Sequence, residues 1–187
     1  MKNPVATITL DDGRKMVLEL YPDIAPNTVN NFIELANSGQ YDGRTIHRIV
    51  KEFVIQGGSF SGDCHQKSTF SIKGEFSENG FENPLKHETG VISMARGNPF
   101  DSASTQWFIM HRPAARLDGK YAAFGKMIEG WDVLEELGYR PTDETPGKDN
   151  PPLTPIITET VRVELNDWSY TEPERIVPAI SPFPDEE

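Results

Sequence analysis

The sequence contains few of the residues that metal-dependent and covalent chemistry require. Cys64 is the single cysteine in 187 residues, which excludes an intrachain disulfide. The four histidines are not paired at metal-ligand spacing, and neither a Gly-x-Ser-x-Gly nucleophile motif nor a phosphate-binding glycine loop is present. Acidic residues are spread along loops instead of forming a catalytic pair. We therefore expect no metal, no other cofactor and no covalent catalysis.

Long apolar runs and clusters of basic residues are also missing. No segment is apolar over the length that is needed to cross a bilayer. Lys and Arg total 18 against 29 Asp and Glu, and the resulting net charge of −11 argues against nucleic-acid or anionic-membrane binding. The first residues lead directly into a strand pattern without an apolar signal-peptide core, which predicts a cytoplasmic protein. The length fits one domain, which we expect to be a monomer.

What the sequence does contain is a series of short apolar segments with the periodicity of strands. Residues 5–10 and 16–21 alternate between apolar and polar positions on either side of an Asp-Asp-Gly-Arg turn, which predicts a hairpin. Pro26 and the apolar stripe Val29, Phe32, Ile33 and Ala36 predict a helix. Further strands are predicted at 46–50, 53–57, 91–95, 105–110, 122–127 and 157–165, and a second helix at 131–137. Many strands with two helices predict an all-β sandwich or barrel whose open ends the helices cover.

The end of the chain differs in composition from the rest. It is rich in proline and acidic residues and offers few side chains to bury. We divide the chain into a domain over residues 1–168 and a Pro-rich acidic tail over residues 169–187. This tail is expected to fray or to lie on the surface, and to be dispensable for activity.

Two segments place polar side chains among residues that otherwise resemble a core. Arg48 and Gln56 lie within residues 46–58, and Gln106 lies within residues 104–110. An apolar pocket with a few convergent hydrogen-bonding groups is typical of small-ligand and peptide sites. The alternative is an arginine that extends from a strand to solvent or pairs with a surface carboxylate. The pattern alone favours this alternative.

Considered together and in order, these segments resemble the cyclophilins. The resemblance extends from about Val5 to Leu165, and the short link at residues 39–43 is similar to that of bacterial members. Its motifs are Ala25-Pro26-Asn27-Thr28-Val29-Asn30-Asn31-Phe32, His47-Arg48-Ile49, Phe53-Val54-Ile55-Gln56-Gly57-Gly58, Ile92-Ser93-Met94-Ala95-Arg96, Gln106-Trp107-Phe108-Ile109, Leu117-Asp118-Gly119-Lys120-Tyr121 and Phe124-Gly125-Lys126.

This resemblance implies a peptidyl-prolyl cis-trans isomerase on a closed eight-stranded antiparallel β-barrel capped by two α-helices. The implied partners are proline-containing peptides and unfolded or folding proteins, bound in a groove outside the barrel. By matching position, the implied catalytic residues are Arg48, Gln56 and Phe108. The implied substrate-binding residues are Phe53, Val54, Ala95, Arg96, Gln106, Leu117, Tyr121 and Arg116.

Two alternatives to the enzyme stay open at this point. One is a cyclophilin-like module that binds proline-containing segments with little turnover. The presence of Arg48 and Phe108 favours the enzyme over this module. The other is a ligand carrier on an unrelated small β-barrel, which rests on fold analogy alone.

The sequence departs from the family pattern at two places. Arg116 stands where many cyclophilins have a tryptophan that contacts the inhibitor cyclosporin, which implies weak cyclosporin binding. Residues 62–68 lack the glycine-rich pattern that is common in the family. That difference leaves open which residues are preferred next to the substrate proline.

Overall fold

The computed structural model describes residues 1–65 and 68–178. These residues form nine strands and two α-helices. The strands are β1 Val5–Leu10, β2 Lys15–Leu20, β3 Arg44–Thr45, β4 Arg48–Val50, β5 Val54–Gly57, β6 Val91–Met94, β7 Trp107–Met110, β8 Ala123–Glu129 and β9 Ile157–Glu164. The helices are α1 Pro26–Asn37 and α2 Trp131–Gly138. The predicted β-rich class with two helices is confirmed, and none of the helices in the described ranges is long and apolar enough to span a membrane.

All nine strands belong to one antiparallel sheet in the order β3-β9-β1-β2-β8-β6-β7-β5-β4. The expected closed eight-stranded barrel is wrong, because the sheet is curled and ends in two edge strands, β3 and β4. These edges are two halves of one extended segment. The Ile46 N–H donates to the Ile156 carbonyl at 2.9 Å, whereas the His47 N–H donates to the Gln56 carbonyl at 3.0 Å. The segment therefore changes partner between these two residues and counts as two strands.

The main core lies inside the curl of the sheet. The alternation in β1 and β2 buries every second side chain, and the apolar stripe of α1, which contacts β9, belongs to the same core. Phe32 of this helix contacts the rings of Tyr41 and Phe124, each with ring centroids 5.4 Å apart. Helix α1 therefore closes one end of the curled sheet.

A distant residue stabilises the N-terminus of α1. Ala25 precedes the helix and provides no side-chain cap. The buried carboxylate of Glu75 instead accepts hydrogen bonds from the backbone N–H groups of Asn27 at 3.1 Å and Thr28 at 2.8 Å. These groups have no partner within the helix, so Glu75 satisfies two donors and complements the positive end of the helix dipole.

The strands β5, β6 and β7 differ from β1 and β2 because all their residues are buried. One side of each strand contributes to the main core. The other side belongs to a second apolar cluster on the outside of the sheet. Its members are Val54, Val91, Phe108, Met110, Ala114 and Ala123, with Val50, Phe53, Leu85, Ala95, Leu117 and Tyr121 packed against them. Because these strands are buried on both faces, other residues must cover their outer side. Several residues of this covering layer also line a cavity.

The described part of the acidic tail lies on the surface of the domain, which was one of the two expectations. Trp168 donates from its indole N–H to the side-chain oxygen of Asn30 in α1 at 2.9 Å. Pro173 is buried, the chain contacts α1 as far as Arg175, and Ile176 then pairs with Ser71. Residues 179–187, which include the acidic end, lie outside the described part.

Candidate functional site

A cavity of about 770 Å³ opens on the outer side of β5 and β7. Every site residue that the sequence analysis named, except one, lines this cavity: Arg48, Phe53, Val54, Gln56, Ala95, Arg96, Gln106, Phe108, Leu117 and Tyr121. The exception is Arg116, whose guanidinium lies 4.3 Å from the centre of the Phe53 ring, a cation–π contact. The structure thus brings together residues from three strands and three connecting loops, and Arg116 contacts one of them, Phe53.

Three polar side chains form a hydrogen-bonded row along the cavity wall. Arg48 and Gln56 are a cross-strand pair between β4 and β5, and Arg48 Nη1 donates to Gln56 Oε1 at 3.0 Å. Gln56 Nε2 then donates to Gln106 Oε1 at 2.9 Å. Since each amide presents its oxygen to one neighbour and its nitrogen to the next, the row fixes the orientation of all three groups. Arg48 is therefore part of the cavity wall, unlike an arginine that extends from its strand to solvent.

Arg48 keeps its charge available because its partner in this row is neutral. In the described part of the chain it forms no ion pair, and its side-chain hydrogen bond is to the amide of Gln56. A guanidinium carries five N–H donors in a plane, so several donors are left for a ligand. This environment differs from the alternative in which Arg48 pairs with a surface carboxylate.

The apolar half of the cavity is a small pocket around Phe108. Phe108 is 5% exposed and Val54 is 2% exposed, so the floor is almost dry. The ring of Tyr121 meets that of Phe108 edge to face, with centroids 5.7 Å apart and an interplanar angle of 83°. Leu117 lies in the 3₁₀ turn Ala115–Leu117 and packs against the same cluster. The pocket suits a compact apolar ring.

The sequence analysis missed His87, which supports this pocket from behind. Its ring is stacked with that of Phe108 at a centroid distance of 6.0 Å. Nδ1 lies 3.1 Å from Asp118 Oδ1, and Nε2 lies 3.1 Å from the hydroxyl of Ser93. His87 thereby connects Phe108 with the turn that carries Leu117. His87 and Asp118 lie 31 residues apart in separate loops, so no local pattern indicated the contact.

His47, next to Arg48, is a buried imidazole in the extended segment between β3 and β4. Burial lowers the pKa of His47 below its ordinary value, and the positive charge of Arg48 acts in the same direction. Burial likewise lowers the pKa of His87, although the Asp118 carboxylate opposes that shift. Both rings are therefore neutral near pH 7, and Arg48 does not compete with a neighbouring imidazolium.

The side chain of Arg96 organises the loops beside the pocket. Its Nη2 and Nε donate to the Lys120 carbonyl at 2.8 and 3.0 Å, and Nη1 donates to the Gly97 carbonyl at 2.9 Å. The guanidinium also lies 4.7 Å from the centre of the Tyr121 ring. The neighbouring Ala95 N–H donates to the Gln106 carbonyl at 3.0 Å. Arg96 thus holds the Tyr121 ring and the backbone at Gly97 and Lys120 in place.

The rest of the wall of this cavity, which we call the second chamber, was not anticipated by the sequence analysis. Its walls come from loops and from the tail, where periodicity gives no signal. They are Cys64, Ser68, Phe70, Ser71, Gly97, Pro99, Asp101, Ser102, Ser104, Thr105, Ile176 and Pro178.

Neither a reactive thiol nor a metal cluster is found among the described residues. Burial, with a further contribution from the Asp149 carboxylate, raises the pKa of the Cys64 thiol to about 11, so Cys64 is a protonated thiol at neutral pH. Within residues 1–65 and 68–178 no group of three His, Cys, Asp or Glu side chains is arranged to hold a metal ion. Around the apolar pocket the cavity offers the Arg48 guanidinium and the amides of Gln56 and Gln106.

Comparison with known sequences gives a consistent result. The family model described as "Cyclophilin type peptidyl-prolyl cis-trans isomerase/CLD" matches residues 5–163. Peptidyl-prolyl cis-trans isomerase B of Bacillus subtilis is 41% identical over 128 residues, which cover 68% of this chain and 86% of that protein. Peptidyl-prolyl cis-trans isomerase cyp18 of Streptomyces antibioticus is 35% identical over 168 residues, which cover 85% of this chain and 99% of that protein.

Solved structures agree with the sequence matches. A cyclophilin-type peptidyl-prolyl cis-trans isomerase from Cryptosporidium parvum, crystallised in the presence of the dipeptide Ala-Pro, superposes with a TM-score of 0.75 at 26% sequence identity. The superposition covers 86% of this chain and 98% of that one.

Proposed function

Since this chain belongs to the cyclophilin-type peptidyl-prolyl cis-trans isomerase family, we propose that Arg48 and the apolar pocket beside it carry the isomerase reaction. The chain is a peptidyl-prolyl cis-trans isomerase, as its relatives are. The roles of individual residues, the substrates and the mechanism are our proposal. The observation that carries it is the row Arg48–Gln56–Gln106, which directs a cation with a neutral partner into a cavity that also holds an apolar ring pocket.

The reaction requires no bond to be made or broken. Partial double-bond character gives the peptide bond a rotational barrier of about 18–20 kcal/mol. Before proline the cis and trans forms are close in energy, yet they exchange over tens to hundreds of seconds. A catalyst therefore needs only to bind the twisted amide more tightly than either planar form. Neither a nucleophile nor a metal ion is required for that.

Arg48 supplies the interaction that is specific for the twisted amide. When rotation removes the amide resonance, the prolyl nitrogen regains its lone pair and becomes a hydrogen-bond acceptor. A guanidinium N–H directed at this nitrogen, or at the adjacent carbonyl oxygen, stabilises the twisted state. One pre-positioned donor of this kind is worth about 3 kcal/mol, or a factor of more than 10² in rate. Gln56 orients the guanidinium, and its own orientation is fixed by Gln106.

The apolar pocket holds the proline ring while the preceding carbonyl rotates. In this proposal Phe53, Val54, Phe108 and Leu117 contact the ring, with Tyr121 at the edge of the pocket. Ala95 and the backbone of Arg96 flank the residue that precedes proline. The Ala-Pro dipeptide that accompanied the Cryptosporidium parvum protein supports proline-containing peptides as ligands. Unfolded and folding proteins that present X-Pro bonds are the proposed larger substrates.

A direct test uses exchange NMR on a short Ala-Ala-Pro-Phe peptide. The full chain is expected to broaden the cis and trans resonances by accelerating their exchange. A protein that only binds proline segments would shift these resonances without speeding the exchange, and that result would contradict the proposal. A cytoplasmic location, a monomeric state and the lack of nucleic-acid and membrane partners stay predictions.

A further inference from the structure

The end of the described chain is held against α1 in a defined register. We call residues 171–178 the C-terminal strap. Asn27 Nδ2 donates to the Glu174 carbonyl at 2.9 Å, and Asn27 Oδ1 accepts from the Glu174 N–H at 2.8 Å. Asn30 Nδ2 donates to the Thr171 hydroxyl at 2.9 Å. Because Asn27 binds both backbone groups of one residue, a shift of the strap along the helix would break both hydrogen bonds.

Arg175 is the main attachment of the strap. Its Nη1 pairs with Glu34 Oε1 at 3.0 Å, while Nη2 and Nε donate to Asn31 Oδ1 at 3.1 and 3.3 Å. Its guanidinium also lies 4.0 Å from the centre of the Phe70 ring. The side chain is only 25% exposed, so the ion pair is partly shielded from solvent. Arg175 therefore fixes the position of the residue that follows it.

That residue, Ile176, joins the wall of the second chamber. Its N–H donates to the Ser71 carbonyl at 2.7 Å and its carbonyl accepts from the Ser71 N–H at 2.9 Å, so the two residues form an antiparallel bridge. Ile176 and Pro178 line the cavity, whereas Val177 between them does not. Alternate residues of an extended segment face the same side. The strap thus presents one apolar edge to the chamber and leaves Val177 to solvent.

We propose that Ile176 and Pro178 are specificity-determining residues that select the substrate side chain two positions before proline. The inference rests on the proposed function, in which Ala95 and Arg96 flank the residue immediately before proline. Gly97 and Pro99, which follow them in the chain, line the chamber beyond. A peptide that extends away from the proline pocket therefore enters this chamber.

The chemistry of the chamber favours an apolar substrate side chain there. Ile176 is 47% exposed and, with Phe70 and Pro178, offers apolar surface that a Leu or Phe side chain would cover. Among the described residues, Asp101 is the one acidic residue that lines the chamber, and one of its oxygens is engaged, since Oδ1 accepts from the Gly74 N–H at 2.9 Å and from Asn79 Nδ2 at 2.7 Å. A charged substrate side chain would lose hydration against the apolar surface of Phe70, Ile176 and Pro178.

The strap acts as a wall of the groove and does not occupy it. The cavity of about 770 Å³ is present with the strap in place, and it still includes Phe53, Val54, Phe108 and Leu117 of the proline pocket. The backbone of Ile176 is also committed to Ser71, outside the row of Arg48, Gln56 and Gln106. Pro178 therefore does not compete with a substrate proline for the ring pocket.

The test compares Ile176→Ser with Val177→Ser in the full chain, because the two neighbours differ in whether they line the cavity. Exchange NMR gives kcat/KM for peptides Xaa-Ala-Pro-Phe with Xaa as Leu or Lys. We expect the wild-type Leu-to-Lys ratio to fall about threefold to tenfold in Ile176→Ser, less than a methylene contributes in an enclosed pocket, because Ile176 is half exposed. Val177→Ser should keep the wild-type ratio. Arg175→Ala, which releases the strap, should lower the ratio as Ile176→Ser does.

Two results would overturn the inference. An unchanged ratio in Ile176→Ser would show that the chamber does not select this side chain. Equal acceleration of both peptides in Ile176→Ser or Arg175→Ala would show that the strap obstructs the groove instead of forming its wall.

A binding measurement separates this inference from the proposed function. In the ¹⁵N-labelled full chain, titration with Leu-Ala-Pro-Phe should shift the amide resonances of Ser71 and Ile176 as well as that of Tyr121. These shifts without any acceleration of exchange would contradict the proposed function but support the strap as a wall. A shift of the Tyr121 resonance alone would contradict the role of the strap as a wall of the groove and leave the proposed function intact.

Discussion

Arg48 and Gln56 face each other across the β4–β5 ladder, and Arg48 Nη1 donates a 3.0 Å hydrogen bond to Gln56 Oε1. A neutral amide orients the guanidinium without cancelling its charge, which a carboxylate at the same place would do. Gln56 is in turn fixed by its 2.9 Å hydrogen bond to Gln106. In the proposed mechanism, Arg48 acts on the amide whereas Gln56 and Gln106 aim its guanidinium, and the two roles predict different losses on mutation.

Arg48→Ala is expected to lower kcat/KM at least ~100-fold while the fold is kept, because it removes the donor to the twisted amide. Arg48→Lys should also be poor, since an ammonium cannot reproduce the planar fork. Arg14→Ala is the matched control, because Arg14 is an arginine paired with Asp12 and Glu136 and does not line the cavity. Exchange NMR on the three variants decides the matter: near-normal turnover in folded Arg48→Ala would refute the assigned role.

Gln56→Leu is expected to lower kcat about tenfold, because Arg48 loses a hydrogen bond of the charged kind and with it a fixed orientation. KM should change less, since the ring pocket is intact. In the double variant with Arg48→Ala, the Gln56 substitution should add nothing further, because a residue that acts through Arg48 has no effect once Arg48 is absent. Additive losses in kcat would instead assign Gln56 an independent contact with the substrate.

Periodicity anticipated the contacts made within one hairpin or one strand, whereas the convergence of Gln106, Leu117 and Tyr121 on the same cavity was implied by the resemblance to the cyclophilins. Arg48 and Gln56 meet because a short turn folds β4 back on β5, and strand periodicity places both side chains on the same face. The groups behind the pocket and in the second chamber could not be anticipated in this way. His87 reaches Asp118 between two irregular loops, and Ile176 reaches Ser71 from a tail that was expected to fray or to lie on the surface.

The number of strands and the open ends of the sheet were not predictable from periodicity either. The extended residues around Ile46 and His47 have a single strand pattern, but whether such a segment closes a barrel depends on its partners. Those partners, near Ile156 and Gln56, come from distant parts of the chain, and the segment changes from one to the other. Periodicity reports which face of a strand is buried and contains no information about where pairing switches.

Arg116→Trp is expected to strengthen cyclosporin inhibition about tenfold to a hundredfold, the effect of one buried hydrogen bond and part of an apolar contact. In the structure the Arg116 guanidinium lies 4.3 Å from the centre of the Phe53 ring, so a charged group that favours water covers this part of the rim. An indole there would offer rigid apolar area and an N–H donor. Small peptides reach the rim less, so their turnover should change little.

The measurement is a side-by-side titration of cyclosporin against both proteins with one peptide substrate. Arg112→Trp serves as the control for adding an indole elsewhere, because Arg112 is paired with Glu135 and does not line the cavity. Equal and tight inhibition of wild type and Arg116→Trp would show that this position does not determine sensitivity.

Stability is expected to fall as the pH drops below about 6.5, the ordinary pKa of an unfolded histidine. Burial lowers the pKa of His47 and of His87 in the folded protein. Between the lowered and the ordinary values the unfolded chain binds more protons than the folded one, so the free energy of unfolding rises with pH. The stabilisation from keeping His47 and His87 neutral is therefore fully present above about pH 6.5, and it is lost as the pH falls through their lowered pKa values. Urea unfolding at intervals from pH 8 to pH 5 measures this change in the free energy of unfolding.

The titration of carboxylates does not account for a loss of stability between pH 6.5 and pH 5. The hydrogen bond from Arg112 lowers the pKa of Glu135 to about 2, so its stabilising contribution is lost only below the ordinary glutamate value of about 4.3. His87→Gln, which keeps a polar group near Ser93 and Asp118, should flatten the curve between pH 6.5 and pH 5. His65→Gln is the matched control, because the His65 side chain is 82% exposed. A pH profile that His87→Gln and His65→Gln leave equally steep would show that burial of His87 is not its cause.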